Sequence, residues 1–399
     1  MNVYIVTGCA GFIGSHFVNL LFNMEKDCIV LGVDKLTYAG CLNNMSTFWR
    51  NPNFYFLAKM GNVIINQDRR YFIKDDQSHL GVNSGGGSIP YELIDINNLH
   101  DEDFYFSLNK ISKTEDVDVS QKQIQYEIIN NTAIIEDNKK IVFIKLKDFS
   151  AENIHIVNFA AESHVDRSIK NASPFIESNI NGTTNLLDLS QKIGIKRFLQ
   201  ISTDEVYGSE ALAPHVEDSK LLPSSVYSAS KASADLLVLA YYKTHQVPVI
   251  ITRSSNNYGP RQFPEKLIPV FIGKLMHQMK VPLYGDGSNI RDWLYVEDNC
   301  RAIYTVLHNG RNGEIYNIAS GCRLKNIDLT KKLIEKIKGT FDDKWVEHVE
   351  DRKGHDKAYW LNWNKIQTEL GWTPQVKFED GLSKTIKWYI QAFLNNYFT

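Results

Sequence analysis

The stretch Thr7-Gly8-Cys9-Ala10-Gly11-Phe12-Ile13-Gly14 decides the fold of this chain. It lies between the apolar run Val3-Tyr4-Ile5-Val6 and a run with helical periodicity that begins at Ser15. Three glycines at this spacing allow a tight turn whose backbone N–H groups face an anion at a helix N-terminus. Asp34 ends the next apolar run, where its carboxylate can bind ribose hydroxyls and disfavours a 2′-phosphate. The pattern predicts a unit that binds NAD rather than NADP.

Further apolar runs alternate with helical patterns along the chain. The strand-like runs are Ile154–Val157, Arg197–Ile201 and Val249–Thr252, and the helical patterns include Asn185–Lys192 and Ser230–Lys243. Strands that are apolar throughout are typical of a parallel sheet covered by helices on both faces. We therefore predict an α/β fold with a doubly wound parallel Rossmann sheet.

A length of 399 residues suggests about two to three domains. We predict an NAD-binding Rossmann domain over residues 1–255 and a smaller, loop-rich domain over residues 256–399, where Pro, Gly and aromatic residues become frequent and which would close over a ligand bound to the sheet. An insertion at about 59–150 is rich in Asn, Asp and Ile. Its runs Gln125–Ile129, Ala133–Ile135 and Ile141–Lys145 predict a small β meander, although Leu93–Ile96 could be a core strand of the main sheet.

Charge and cysteine content exclude several classes of protein. With 44 basic and 46 acidic side chains the formal charge is −2, so no global field attracts nucleic acid or an anionic membrane. Five scattered cysteines, without a CxxC pair, favour neither a disulfide framework nor a zinc site. The histidines show no metal-binding spacing, and we predict no metal. The sequence begins without a basic leader, and we expect a cytoplasmic protein.

Tyr227 and Lys231 lie four residues apart in Tyr-Ser-Ala-Ser-Lys, on one face of a predicted helix. A neighbouring ammonium group favours the phenolate, so we expect Lys231 to lower the pKa of Tyr227. Tyr227 would then serve as a general base near neutral pH.

The stretch from Ser202 to Gly208, which contains the polar triplet Thr203-Asp204-Glu205, directly follows the strand-like run that ends at Ile201. Ligands of doubly wound folds bind at the carboxyl edge of the sheet, where this triplet would lie. Two adjacent carboxyl groups can work as an acid and a base if their surroundings separate their pKa values. The triplet is therefore a candidate catalytic site.

Several basic and amide side chains in the second half suit a nucleotide diphosphate. Arginine offers a two-pronged hydrogen-bond donor to phosphate, and amides bind neutral polar groups. The candidates are Lys266, Arg291, Arg352, Asn257 and Asn326.

Together these residues resemble the extended short-chain dehydrogenase/reductase superfamily and, within it, the dTDP-glucose 4,6-dehydratase family. The matching strings are TGCAGFIGS from Thr7, DKLTYAG from Asp34, FAAESHVDRSI from Phe159, ISTDEVYG from Ile201, PSSVYSASKAS from Pro223, SNNYGPRQFPEKLIP from Ser255, YGDGSNIRDWLYVED from Tyr284 and DRKGHD from Asp351. Related enzymes that only epimerise or decarboxylate nucleotide sugars lack the Asp-Glu pair, so this pair distinguishes the dehydratases.

The resemblance implies dehydration of dTDP-glucose to dTDP-4-keto-6-deoxyglucose, with hydride lent to bound NAD and then returned. Tyr227, aided by Lys231, would take the proton of the 4-hydroxyl, which Thr203 helps to hold. Glu205 would remove the C5 proton, and Asp204 would protonate the departing 6-hydroxyl.

The resemblance also implies the binding residues and a homodimer packed through the helices that follow Ser173 and Ser228. Besides Tyr227 and Lys231, NAD would contact Gly8, Gly11, Phe12, Ile13, Gly14, Asp34, Lys35, Thr37, Asp95, Ile96, Ala160, Glu162 and Ser178. The nucleotide sugar would contact Ser163, Asn256, Asn257, Lys266, Leu267, Pro282, Tyr284, Arg291, Asn326, Arg352 and His355.

Two alternatives remain open. The first is a 4,6-dehydratase or another NAD-dependent modifying enzyme that acts on a UDP-sugar, because the thymine contacts cannot be located. The second is an NAD-binding sensor or scaffold that has lost turnover. The intact residues Thr203, Asp204, Glu205, Tyr227 and Lys231 speak against this second alternative.

Overall fold

A computed structural model describes residues 1–58, 149–209, 213–352 and 354–398. Between residues 59 and 148 it describes only the backbone of six short strands. The strands are β1 (Val3–Thr7), β2 (Ile29–Asp34), β3 (Phe54–Ala58), β4 (Val63–Asn66), β5 (Arg69–Phe72), β6 (Tyr105–Phe106), β7 (Glu136–Asp137), β8 (Lys140–Ile141), β9 (Ile144–Lys145), β10 (Ile154–Asn158), β11 (Arg197–Thr203), β12 (Val249–Ser254), β13 (Asn256–Tyr258), β14 (Val281–Tyr284), β15 (Ile290–Tyr295), β16 (Ile315–Ile318), β17 (Arg323–Lys325) and β18 (Val346–Val349).

The helices alternate with the strands of the main sheet. They are α1 (Phe12–Met24), α2 (Val165–Lys170), α3 (Ser173–Phe175), α4 (Gly182–Ile193), α5 (Val226–His245), α6 (Leu267–Met276), α7 (Val296–Asn309), α8 (Asn326–Lys338), α9 (Asn364–Leu370) and α10 (Phe378–Leu394). A π-helical segment, Ile176–Asn181, joins α3 to α4, and a 3₁₀ helix, Asp204–Tyr207, follows β11.

The main sheet confirms the predicted Rossmann fold. Its order is β16-β12-β11-β10-β1-β2-β3-β4-β5, and the seven strands from β16 to β3 are parallel. The chain reverses direction across the sheet at β1, which pairs with β2 on one side and β10 on the other. Ligands of such sheets bind at this switch point, beyond the carboxyl ends of the strands.

Apolar side chains on both faces of the sheet hold the helices in place. On one face Tyr4 and Val6 pack with Phe17 of α1 and Ile303 of α7 in one buried cluster. On the other face Ile5 packs in a second buried cluster with side chains of α4 and α5. Side chains alternate along a strand, so β1 serves both clusters, and its residues must be apolar throughout.

The second half of the chain builds a smaller unit beside the carboxyl edge. Strands β13, β15 and β17 form one small sheet, and β14 pairs with β18. Helices α6, α8 and α10 cover a separate buried cluster that includes Tyr258 and Trp293. The predicted division between residues 255 and 256 stays a prediction, and the main sheet takes one strand, β16, from beyond it.

Much of the predicted insertion lies outside the described residues. That holds for the runs Gln125–Ile129 and Ala133–Ile135 and for the candidate strand Leu93–Ile96. Within the part of the insertion that is described, β7 pairs with β8 and β6 pairs with β9, both in antiparallel orientation.

All five cysteines are free. None of the described helices has the length and apolar character needed to cross a bilayer.

Candidate active site

The glycine turn between β1 and α1 is shaped by close backbone contacts. Gly8 has a φ of +67° and donates its N–H to the Val33 carbonyl at 2.7 Å. A Cβ atom at Gly14 would lie 2.2 Å from the Gly8 oxygen, and one at Gly8 would lie 2.8 Å from the Ala160 nitrogen. Only glycine fits at both positions, and the turn presents the N-terminus of α1 to a phosphate group.

Asp34 lies at the end of β2 and closes the turn from the other side. Its carboxylate accepts hydrogen bonds from the N–H groups of Ala10 at 2.9 Å and Leu36 at 2.8 Å. Burial raises the pKa of Asp34, while these N–H donors oppose the rise. The carboxylate is thereby fixed at the edge of the cavity in which a ribose would lie.

A cavity of about 310 Å³ opens above the carboxyl edge of the sheet, and we call it the cofactor cavity. All the predicted NAD contacts that fall in the described residues line it, whereas Asp95 and Ile96 lie outside those residues. The lining set is Gly8, Gly11, Phe12, Ile13, Gly14, Asp34, Lys35, Thr37, Ala160, Glu162, Ser178, Tyr227 and Lys231. Ser178 reaches it from the π-helical segment, a distortion that is frequent at functional sites.

The triplet Thr203-Asp204-Glu205, the candidate catalytic site, begins where β11 ends. Thr203 caps the 3₁₀ helix, because its Oγ1 accepts the Glu205 N–H at 3.3 Å, and it donates to Asp204 Oδ1 at 3.1 Å. Asp204 is only 3 % exposed, and its Oδ2 has no partner among the described residues. Thr203 therefore holds the carboxyl group of Asp204 and the backbone of Glu205.

The surroundings of the two carboxyl groups differ in charge. Burial raises the pKa of Asp204 well above its usual range, and the charge of Glu205 raises it further. Burial also raises the pKa of Glu205, but the cations Arg352, Lys266 and Arg291 oppose that rise. Asp204 is thus suited to hold a proton and Glu205 to give up its own, which is the separation that an acid and a base require.

Tyr227 and Lys231 lie on the first turns of α5, which begins with a capping box formed by Ser225 and Ser228. The Lys231 ammonium donates to the Ile201 carbonyl at 2.6 Å. Burial lowers the pKa of Lys231 to about 8. Burial, followed by the charges of Glu205 and Asp204, raises the pKa of Tyr227.

The pKa of Tyr227 is therefore raised and not lowered as predicted, because burial and the two acidic neighbours outweigh the favourable charge of Lys231. The helical spacing places the two groups on one face of α5, but it does not reveal the acidic pair opposite Tyr227. The Lys231 ammonium is hydrogen-bonded to the Ile201 carbonyl, and burial together with the charges of Glu205 and Asp204 sets the direction of the shift at the phenol.

A second cavity of about 250 Å³ adjoins the first, and we call it the substrate cavity. All eleven predicted nucleotide-sugar contacts line it: Ser163, Asn256, Asn257, Lys266, Leu267, Pro282, Tyr284, Arg291, Asn326, Arg352 and His355. Among the described residues, the Oδ1 atoms of Asn256, Asn257 and Asn326 are buried without a hydrogen-bond partner. Buried polar atoms normally have partners, so these acceptors suit a polar ligand.

The two cavities share one wall. Ser163, Gln262, Glu265 and Lys266 line both, and the Lys266 ammonium donates to the Ser163 carbonyl at 2.8 Å. Tyr227 lines the cofactor cavity and Glu205 lines the substrate cavity. A ligand that reached across the shared wall would therefore meet Tyr227 and Glu205 together, whereas Thr203 and Asp204, next to Glu205 in the chain, line neither cavity.

Sequence reasoning missed some residues of the substrate cavity. Tyr359 lines it, and the Arg291 guanidinium lies 4.3 Å from the centre of the Tyr359 ring. The Tyr359 hydroxyl donates to Asp356 Oδ2 at 2.8 Å. Glu265 lines both cavities and forms an ion pair of 3.4 Å with Arg167. Glu265 stands inside the quoted string SNNYGPRQFPEKLIP, which was a usable signal, whereas Tyr359 reaches the cavity only through tertiary packing.

Comparison with known proteins identifies the family. A sequence model of the GDP-mannose 4,6 dehydratase family matches residues 105–385. The low-salt glycan biosynthesis protein Agl12 of Haloferax volcanii is 41 % identical over 97 % of this chain and 98 % of its own. A dTDP-glucose 4,6-dehydratase of Haemophilus influenzae is 40 % identical over 98 % of both chains.

Solved structures agree with the sequence relatives. The crystal structure of DesIV, a dTDP-glucose 4,6-dehydratase of Streptomyces venezuelae with NAD bound, matches with a TM-score of 0.74 at 38 % identity over 98 % of this chain and 97 % of that chain. A dTDP-glucose 4,6-dehydratase from Bacillus anthracis in complex with NAD matches with a TM-score of 0.71 at 35 % identity, over 98 % of this chain and 97 % of that one. The chain belongs to the dTDP-glucose 4,6-dehydratase family.

Proposed function

We propose that this chain dehydrates dTDP-glucose to dTDP-4-keto-6-deoxyglucose with NAD as a cofactor that is regenerated in each cycle. The observation that carries this proposal is the placement of Tyr227 and Glu205 on the adjoining cofactor and substrate cavities, with Asp204 buried beside Glu205. Oxidation alone needs only a base, whereas loss of water needs an acid and a base as well.

The cofactor cavity fits NAD. Its glycine turn is a cradle that a Cβ atom would fill, and Asp34 stands where a ribose would be bound. When bound, NAD⁺ supplies an acceptor for the hydride of the sugar, a donor for its return, and a positive charge within this cavity. The pyrophosphate would be held by the turn from Gly11 to Ile13 at the start of α1.

In the oxidation, Tyr227 takes the proton of the sugar 4-hydroxyl. The pKa of Tyr227 is raised by burial and by two acidic neighbours, so the phenolate needs added positive charge to form. Lys231 is buried one turn further along α5 and contributes an ammonium group. Thr203 lies beside Asp204 and would hold the same hydroxyl through its Oγ1.

In the elimination, Glu205 removes the C5 proton that the new ketone makes acidic, and Asp204 protonates the departing 6-hydroxyl. The separation of their surroundings supports these roles, because Glu205 faces the cations Arg291, Arg352 and Lys266 while Asp204 is enclosed. The electrons of the C5–H bond form a C5–C6 double bond, and the C6–O bond breaks to release water.

The cations of the substrate cavity suit the diphosphate. Arg291 and Arg352 are the arginines of its lining, and arginine binds phosphate through paired N–H groups. Pro282 and Tyr284, on β14, are suited to the apolar and aromatic surface of a base.

Incubation with dTDP-glucose in the absence of added reductant tests the proposal. We expect a product lighter by the mass of one water, with no net NADH formed. UDP-glucose is the matched alternative substrate, and a higher kcat/KM with UDP-glucose would show that the nucleotide of the substrate is uridine diphosphate. A protein that retains NAD but converts neither sugar would indicate the sensor or scaffold, and Tyr227→Phe provides the inactive control.

We also propose a homodimer in the cytoplasm, without nucleic-acid or membrane partners. The exposed apolar side chains Ile176 and Leu236, 46 % and 58 % exposed, lie on the π-helical segment and on α5, and they support an interface there. The five free cysteines support a location in the cytoplasm, where thiols stay reduced. The net charge of −2 supports the absence of nucleic-acid and anionic membrane partners. Light scattering tests the dimer, and Leu236→Glu should yield monomers.

A further inference from the structure

An ion pair lies buried beneath the candidate active site. Arg253 on β12 and Asp235 on α5 are 2 % and 0 % exposed, and Arg253 Nε donates to Asp235 Oδ2 at 2.9 Å. Burying two charges costs more free energy than their attraction returns unless their remaining polar atoms are well bonded.

Hydrogen bonds join this pair to all the elements that carry catalytic groups. Asp235 follows Lys231 by one turn of α5, on the same helix face as Tyr227. Asp235 Oδ2 also accepts from Ser202 Oγ at 3.0 Å, next to Thr203 on β11.

The arginine end of the pair reaches the acidic triplet. Arg253 Nη1 donates to Tyr207 Oη at 2.9 Å, and Tyr207 ends the 3₁₀ helix that carries Asp204 and Glu205. Tyr207 Oη in turn donates to Asn317 Oδ1 on β16 at 2.9 Å. One buried pair thus fixes α5, β11 and the 3₁₀ helix relative to one another.

We propose that Asp235 and Arg253 are positioning residues, which hold Tyr227 and Lys231 on α5 in register with the acidic pair at the end of β11. The proposal rests on the proposed function. Asp235 and Arg253 act through other side chains, because their hydrogen bonds join them to each other, to Ser202 and to Tyr207.

Charge gives the pair a second effect on the same helix. Burial lowers the pKa of Lys231, and the Asp235 carboxylate opposes that decrease. The carboxylate thereby keeps an ammonium group behind Tyr227, while Arg253 neutralises the carboxylate on its far side. Geometry and charge both indicate that the pair acts on α5, the helix that carries Tyr227 and Lys231, and does not contribute to stability alone.

Replacing the pair with apolar residues of similar size separates positioning from stability. Asp235→Leu with Arg253→Met removes both charges together, a change that buried pairs often tolerate without loss of stability. We expect the double variant to fold and to retain NAD, with an unchanged KM and a kcat lower by about 10-fold or more. In its crystal structure, the contact of 2.6 Å between Lys231 Nζ and the Ile201 carbonyl should be lost.

An unchanged kcat, or an unchanged contact between Lys231 and Ile201, would overturn the proposal. If the double variant does not fold, Tyr207→Phe cuts the link from Arg253 to the 3₁₀ helix together with the hydrogen bond to Asn317, and kcat should fall while KM and NAD content stay constant. An equal kcat in that variant would overturn the proposal as well.

A matched control removes an ion pair elsewhere. Lys365 and Glu314 form a pair of 2.7 Å beside β16, and Lys365→Met with Glu314→Leu should leave kcat unchanged. Failure of the wild-type protein to convert dTDP-glucose would refute the proposed function by itself. The crystallographic contact would still report on positioning, so the two failures are distinguishable.

Discussion

Asp204 and Glu205 are neighbours in the chain, yet they meet different surroundings. The Asp204 side chain is enclosed, and its free oxygen has no partner among the described residues. Glu205 lines the substrate cavity and faces three cations. Chemically similar carboxyl groups can therefore take opposite roles, because a buried acid keeps its proton and a cation stabilises a carboxylate.

Replacing Glu205 with Gln should stop proton removal at C5. The amide has nearly the same shape but cannot act as a base, so NAD content should be unchanged. With the reaction run in deuterium oxide, mass spectrometry of the recovered sugar nucleotide should find no deuterium at C5. Deuterium incorporation at the wild-type rate would assign the base to another residue.

Replacing Asp204 with Asn should slow the loss of the 6-hydroxyl and leave proton removal at C5 in place. Loss of a general acid costs about 100-fold or more in rate. Exchange of the C5 proton with solvent, measured by NMR, should continue in this variant while the release of water slows. A normal rate of water loss would contradict the role of Asp204.

The Lys231 ammonium should give the reaction an alkaline limit. Burial lowers the pKa of Lys231 to about 8, so its positive charge is lost as the pH rises through that value. Tyr227 then loses a cation that favours its phenolate, and kcat should fall above pH 8. Arginine stays charged over this range, so Lys231→Arg should have a lower kcat without the alkaline decline. A decline at the same pH in that variant would assign the limit to another group.

The strands and helices were predictable from sequence to different extents. β1, β2, β10, β11 and β12 each overlap an apolar run, because a strand buried on both faces must be apolar throughout.

The parts that could not be predicted depend on contacts between distant segments. β16 joins the main sheet although it lies far along the chain, and the pairing of Arg253 with Asp235 depends on how β12 meets α5. The triplet at Thr203 was predictable as a site because its place after β11 is local. The raised pKa of Tyr227 was not, because its acidic neighbours approach from another element.

The contact between α1 and the glycine turn gives a prediction for the helix as a unit. A Cβ atom at Gly14 would lie 2.2 Å from the Gly8 oxygen, a distance that backbone cannot tolerate. Gly14→Ala should therefore push α1 away from the turn and reduce NAD content strongly, measured by absorbance after desalting. Asn19→Ala adds the same residue further along α1 and should bind NAD normally. Equal NAD content in the two variants would show that close packing at Gly14 is not required.

The two halves of the chain meet at the cavities rather than only along an outer surface. The main sheet supplies the glycine turn, while Gln262, Phe263, Glu265 and Lys266, beyond residue 256, line the same cofactor cavity. A ligand in this cavity would contact both halves. Ligand binding should therefore couple the stabilities of the two halves. The free energy of binding adds to the free energy of every local opening that exposes the site.

Hydrogen exchange with and without NAD tests this coupling. NAD at 100 times its Kd stabilises a binding-competent protein by about 2.7 kcal/mol against openings that destroy the site. Amide exchange should slow both at the start of α1 and in the segment from Gln262 to Lys266, because each lines the cavity. The helix α9, which packs on β16, provides an internal reference, since only global opening should expose it. Protection confined to α1 would show that the second half does not close on the cofactor.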